Sequence, residues 1–139
     1  MTQRRIRITN TKDGSMFPFL DYELSRAVRS GNIVHLQGQT GIPLDGKGFV
    51  GIGDPAEQAN NAMMCVRAFL GELGARMEDI CKITTYVTDP SYRDLVYPVL
   101  ADHFGDVSPC STGIVVKALA LPHIDFEIDV YAVIPEDRA

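Results

Sequence analysis

Two acidic residues and one cysteine carry most of the chemistry available to this chain of 139 residues. Glu127 and Asp129 stand in FEIDVYAV (126–133), whose alternation sends Phe126, Ile128 and Val130 to one face of a strand and Glu127, Asp129 and Tyr131 to the other. Carboxylates two residues apart on a strand face lie about 7 Å from each other, near enough for like-charge repulsion to raise one pKa. A carboxyl so raised can take a proton from water and return it to a leaving nitrogen. The plainer account of Glu127 is a solvated or interface carboxylate. Cys110 follows Pro109 in SPCSTGIVVKALALP (108–122), at the head of a β-branched run built like a buried strand. A cysteine is a nucleophile only as thiolate, which needs a base or a cation to bring its pKa down from about 8.5. His123 and Arg26 are the candidates for that partner. Without one, Cys110 is an inert, partly buried thiol.

The other reactive side chains form no pattern. Cys65, Cys81 and Cys110 are odd in number, widely spaced and without a CxxC pair, which supports neither a disulfide framework nor a zinc site. No metal or other cofactor is expected, and Cys65 and Cys81 read as core residues. His35 and His103 have no partner spacing, and nothing like a nucleophile elbow surrounds Ser111. The glycine-rich stretch GIPLDGKGFVGIGDP (41–55) is read as a surface loop before a helix, not as a phosphate cradle.

Length and composition fit one domain over residues 1–139, burying roughly two-thirds of the surface its unfolded form exposes. With 45% hydrophobic and 22% charged residues and a dispersed net charge of -5, the chain disfavours polyanions, and QRRIR near the N-terminus is too short to make a nucleic-acid surface. No stretch approaches the length of a membrane span, and the first twenty residues lack the apolar core of a secretory signal. The expected setting is the reducing cytoplasm, without membrane or nucleic-acid partners.

The elements that must position these groups are legible in outline. RRIRITN (4–10) alternates as a first strand, followed by a loop through TKDGSMFPF; YELSRAV (22–28) and IVHLQG, joined by SGN, read as a hairpin. Asp54 as N-cap, Pro55 at the first position and Glu57 completing a capping box open a helix, with Ala59, Met63, Val66, Phe69, Leu70 and Leu73 on its apolar face and Gly74 at its C-terminal end. ICKITTYVT (80–88) is a strand whose Cys81, Ile83, Thr85 and Val87 share a face. Asp89 and Pro90 begin a second helix, in which Pro98 is a local conflict. STGIVVKAL and DFEIDVYAV complete the set. The order predicts an α+β sandwich of two layers: one mixed or antiparallel sheet, both helices on one face, and an uncovered face carrying Glu127, Asp129 and Tyr131 as a candidate subunit contact.

LSRAVRSGNIVHLQGQTG, ICKITTYVTDPSYRDL and STGIVVKALALP followed by FEIDVYAV resemble the reactive-intermediate deaminase family, also called RidA, YjgF or endoribonuclease L-PSP, from about residue 20 to residue 134. The resemblance implies a chorismate-mutase-like fold and a homotrimer whose sheets form a central barrel, with three clefts between subunits. It also implies hydrolysis of small enamines or imines to keto acids and ammonia. Glu127 matches the family's water-positioning glutamate, and Gly38 the glycine whose backbone lies against the ligand. Typical members hold the substrate carboxylate with an arginine; Cys110 takes that place here, with Ser111 and Thr112 after it, and no arginine occurs between Arg93 and Arg138. Leu24 replaces the family tyrosine, leaving Tyr22 as a candidate substitute, and Tyr97 falls near the site asparagine of the second helix. Arg26 is a candidate to take over the clamp, or else to pair with Glu127 or Asp129.

These residues support one leading reading and two rivals. The first is a trimeric hydrolase or deaminase of a small nitrogen-containing metabolite, with water activated by Glu127, Cys110 and Thr112 contacting the substrate, and no metal or cofactor. The second is a non-catalytic module of the same fold that binds a small molecule, favoured by the loss of both arginine and tyrosine. The third, ribonuclease activity, is disfavoured by the acidic charge.

Overall fold

Aspartate and proline open both helical segments. Asp54 caps α1 (Pro55–Glu72) by accepting from the Glu57 amide, and Gly74, at φ +84°, carries the chain out of the helix in the left-handed conformation that a side chain would oppose. Asp89 accepts from the Ser91 amide ahead of a single 3₁₀ turn over Pro90–Tyr92, which leads into α2 (Arg93–Phe104). The second helix therefore starts later than expected, and it continues past Pro98 to Phe104 at the cost of one backbone hydrogen bond.

The computed structural model describes residues 3–7 and 22–139. Its strands are β1 (Gln3–Arg7), β2 (Ser25–Ser30), β3 (Ile33–Leu36), β4 (Ile80–Val87), β5 (Cys110–Val115) and β6 (Phe126–Val133). They form one mixed sheet in the order β1-β2-β3-β6-β4-β5, with β4 and β5 parallel and every other pair antiparallel. The α+β architecture with both helices over one sheet face is the expected one. The loop TKDGSMFPF and the last residues of the expected first strand lie outside the described residues. No helix among the described residues is long and apolar enough to cross a membrane.

The core lies between sheet and helices. Phe126, Ile128 and Val130 of β6 are fully buried, as are Ala59, Met63, Val66, Leu70 and Leu73 along one side of α1. Burying each larger side chain contributes about 1.5–3 kcal/mol, enough to fix which way β6 faces. Gln58 of α1 is also fully buried, and it ties helix to sheet. Its Oε1 accepts from the amides of Asp125 and Phe126, and its Nε2 donates to the carbonyls of Gly51 and His123.

Two β-bulges change the expected facing. Ile6 and Arg7 of β1 pair with Ala27 and Ser25, so Arg26 is the extra residue of β2; Ile80 and Lys82 pair with Ala132 and Tyr131, so Cys81 is the extra residue of β4. Cys81 is accordingly exposed instead of sharing the buried face with Ile83, whereas Cys65 is buried as expected. β5 also departs from expectation. All six of its residues are exposed, because it is the edge of the sheet.

Candidate active site

The face of the sheet away from the helices is lined by side chains in alternate register. Tyr86 of β4 stands opposite Glu127 of β6 and Thr84 opposite Asp129; on the other side of β4, Lys82 pairs with Cys110 of β5 and Thr84 with Thr112. These positions divide into two groups.

The first group surrounds Glu127. Its flank is formed by Gly38, which follows β3: a Cβ built there would stand 2.6 Å from Glu127 Cδ and overlap the carboxylate oxygen, so only glycine permits this approach. Asp129 shares the face and accepts from Tyr86 Oη at 2.6 Å. Burial, and secondarily the Asp129 charge, raise the Glu127 carboxyl from 4.5 to about 7. The hydrogen bond to Asp129 raises Tyr86 to about 12. No described residue hydrogen-bonds the Glu127 carboxyl, so it is poised near neutrality with its oxygens available to water or ligand.

The second group is at the start of β5. Lys82 Nζ donates to Thr112 Oγ1 at 2.6 Å, and exposed Cys110 directs Sγ to the Cys81 carbonyl at 3.3 Å. The register separates this group from Glu127. Cys110 is four residues along β4 and two strands across from it, about 16 Å by strand geometry, and Thr112 about 12 Å. Within one chain, Cys110 and Thr112 do not share a small ligand with Glu127.

The structure places the remaining candidates elsewhere. Arg26, turned by its bulge, is buried on the helix side: its guanidinium donates to Gln39 Oε1 (2.9 Å) and the carbonyls of Pro43 and Leu44, and lies 4.9 Å from the Phe69 ring centroid. Neither Glu127 nor Asp129 is among its partners, and neither Arg26 nor His123 is brought to the Cys110 sulfur, since the His123 ring packs edge-on against Phe49 at 4.4 Å. Tyr97 is on the helix side too, its hydroxyl against Gly113. Tyr22 is 59% exposed and, with Leu24, precedes β2 instead of lying in it; Leu24 packs with Ile42, Phe49 and Leu121. A cavity of about 280 Å³ lined by Ile42, Phe49, Leu121 and His123 includes neither Glu127 nor Cys110. Gly46, Gly48 and Gly51 do carry the GxGxxG spacing, but they lie well beyond β3 and outside α1, not in the strand-to-helix turn where that spacing cradles phosphate.

Sequence reasoning overlooked Tyr86 and Lys82. The same alternation that puts Ile83, Thr85 and Val87 inside puts Lys82, Thr84 and Tyr86 on the site face, so the signal was there.

The model of the endoribonuclease L-PSP family matches residues 20–134. The chain belongs to the RidA/YjgF, or endoribonuclease L-PSP, family. A RutC family protein of Aquifex aeolicus is 35% identical over 112 residues, 78% of this chain and 86% of that one. The RutC family protein YjgH of Escherichia coli is 29% identical over 118 residues, 85% and 88% of the two chains. Among solved structures, the YjgF/YER057c/UK114 family member of Mycobacterium tuberculosis superimposes with a TM-score of 0.76 at 29% identity, over 96% of this chain and all of that one. At the start of β5 this RidA/YjgF member carries Cys110, and no arginine occurs between Arg93 and Arg138.

Proposed function

We propose that this protein is a hydrolase that deaminates a small imine or enamine, with Glu127 as the acid–base group. The observation that carries this reading is the Glu127 carboxyl: pressed against Gly38, unbonded by any described residue and raised to about 7, it can be half-ionised at neutral pH. In the reaction, water adds to the C=N carbon while Glu127 takes one of its protons and passes it to nitrogen, giving a carbinolamine; the hydroxyl proton then passes by way of Glu127 to the same nitrogen as the C–N bond breaks, and a ketone and ammonia leave. The atoms balance as imine plus water giving ketone plus ammonia.

The register offset supports a cleft between copies. A homotrimer, as the family resemblance implies, would bring the Lys82, Thr112 and Cys110 group of one chain to the Glu127 group of another, and the exposed face and bare edge strand are suited to that contact. Cys110 serves there as a wall, its thiol directed to the Cys81 carbonyl. Gly38 lies along the ligand beside Glu127. Tyr22 and Leu24, at the entrance to β2, and Tyr97 are peripheral, and Arg26 acts indirectly.

The test is ammonia release from imines of small 2-keto acids generated in situ. Glu127→Gln should reduce turnover by about 10²–10⁴-fold. Unchanged turnover in that variant would refute the mechanism. The loss of the clamp arginine favours a second reading, a binding module of the same fold; a tight ligand recovered chemically intact after incubation would decide for it.

A further inference from the structure

Arg26 is a buried cation, only 3% exposed, and its bonds converge on one short stretch of chain. Its backbone carbonyl accepts from the Gln37 amide (2.8 Å), and its guanidinium donates to Gln39 Oε1 (2.9 Å). The ring closes through Gln39 Nε2, which donates to the Gln37 carbonyl at 2.7 Å. Gly38, between the two glutamines, is thus tied on both sides to the same arginine. Gln39 also exchanges both backbone hydrogen bonds with Ile128, the residue after Glu127, at 2.9 Å each. The guanidinium reaches on to the carbonyls of Pro43 and Leu44 and stacks on Phe69 of α1, anchoring the arrangement in the core.

We infer that Arg26 is a positioning residue: through Gln39 and Gln37 it holds the Gly38 backbone against the Glu127 carboxyl and keeps water from that flank. The inference rests on the reading of Glu127 as the site carboxyl. The planar fork matters because Nη2 donates to Gln39 while Nη1 reaches the two loop carbonyls, a spread over two fixed nitrogens that the single nitrogen of an ammonium does not reproduce. The charged and titratable groups around the two ends differ. Asp129 and Tyr86 face Glu127, whereas Cys65 and Asp45 are the groups near Arg26, so the Arg26 charge does not act on Glu127 as a direct partner.

The experiment follows the Glu127 side-chain carboxyl through a pH titration by NMR in wild type, Arg26→Met, Arg26→Lys and Gln39→Met, with thermal melting of each. If Gly38 is braced through Arg26, loosening it admits water, and the Glu127 midpoint falls by about one unit in Arg26→Met and Gln39→Met and by less in Arg26→Lys. Gln39→Met removes the same link while the cation keeps the carbonyls of Pro43 and Leu44, so the test survives if Arg26→Met does not fold. A lower melting temperature with an unmoved Glu127 midpoint would make Arg26 a structural cation only and overturn the inference. This outcome is independent of turnover: loss of activity in Glu127→Gln speaks to the proposed chemistry, the titration to the brace.

Discussion

Replacing Asp129 with Asn separates the two causes that raise Glu127. The residues are two apart on one strand, about 7 Å, where unit charges repel by about 2 kcal/mol at an effective dielectric near 20 and by well under 1 kcal/mol in bulk water. Both side chains are partly exposed, so an intermediate value near 1 kcal/mol applies, somewhat under one pKa unit. The Glu127 midpoint should therefore fall from about 7 by roughly 0.5–1 unit while remaining above its ordinary 4.5, because burial, the larger cause, is untouched. Asparagine keeps an acceptor for Tyr86 Oη, so the face stays assembled, and Tyr86 should move from about 12 toward 10 at the same time. Carboxyl and phenol NMR titrations on one labelled sample read both. An unmoved Glu127 would mean that the Asp129 charge does not reach it; a drop all the way to 4.5 would mean that burial against Gly38 contributes nothing. Either result refutes the account of the site.

Other consequences can be checked alongside. A carboxyl whose folded pKa lies above its unfolded value binds protons more tightly when folded, so its contribution to stability is fully present below about pH 4.5 and is lost as pH rises through about 7. Urea unfolding at pH 5 and pH 8 should show wild type losing about 2–2.5 kcal/mol more than Glu127→Gln over that interval, and equal losses would contradict the raised pKa. Gln58→Leu leaves the amides of Asp125 and Phe126 without their acceptor and should destabilise the chain by about 2–4 kcal/mol in the same assay. A cost below about 0.5 kcal/mol would show that those amides find other partners.

Much of this architecture can be read from local rules. The cap at Asp54, the apolar stripe of α1 and the facing of β6 each depend on residues within a few positions of one another, and each stands where periodicity and capping chemistry put it, whereas Asp89 caps a 3₁₀ turn ahead of the second helix. The misplacements have one physical source. A period of two holds only while the ladder is regular, and a single extra residue reverses every inference drawn across it. The bulge at Arg26 carries that side chain from the Glu127 face into the core, and the bulge at Cys81 does the opposite. The separation of Cys110 from Glu127 was invisible for a different reason. It depends on which strands are neighbours and in which register, and nothing in FEIDVYAV or SPCSTGIVV states that β4 lies between them. β5 has the composition of a buried strand and yet is exposed, because residue type does not state which strand lies at the edge of the sheet.

The offset between the two groups has a consequence for inheritance. If a working site draws Glu127 from one copy and the Lys82–Thr112 end from another, a defect belongs to a junction rather than to a polypeptide. Two chains, each crippled at a different end, can then make an intact junction by mixing, and one crippled chain can spoil a site in which its neighbour is sound. Alleles of such a protein complement and poison one another according to which strand they alter, and loss of function scales with the share of defective junctions, not of defective molecules.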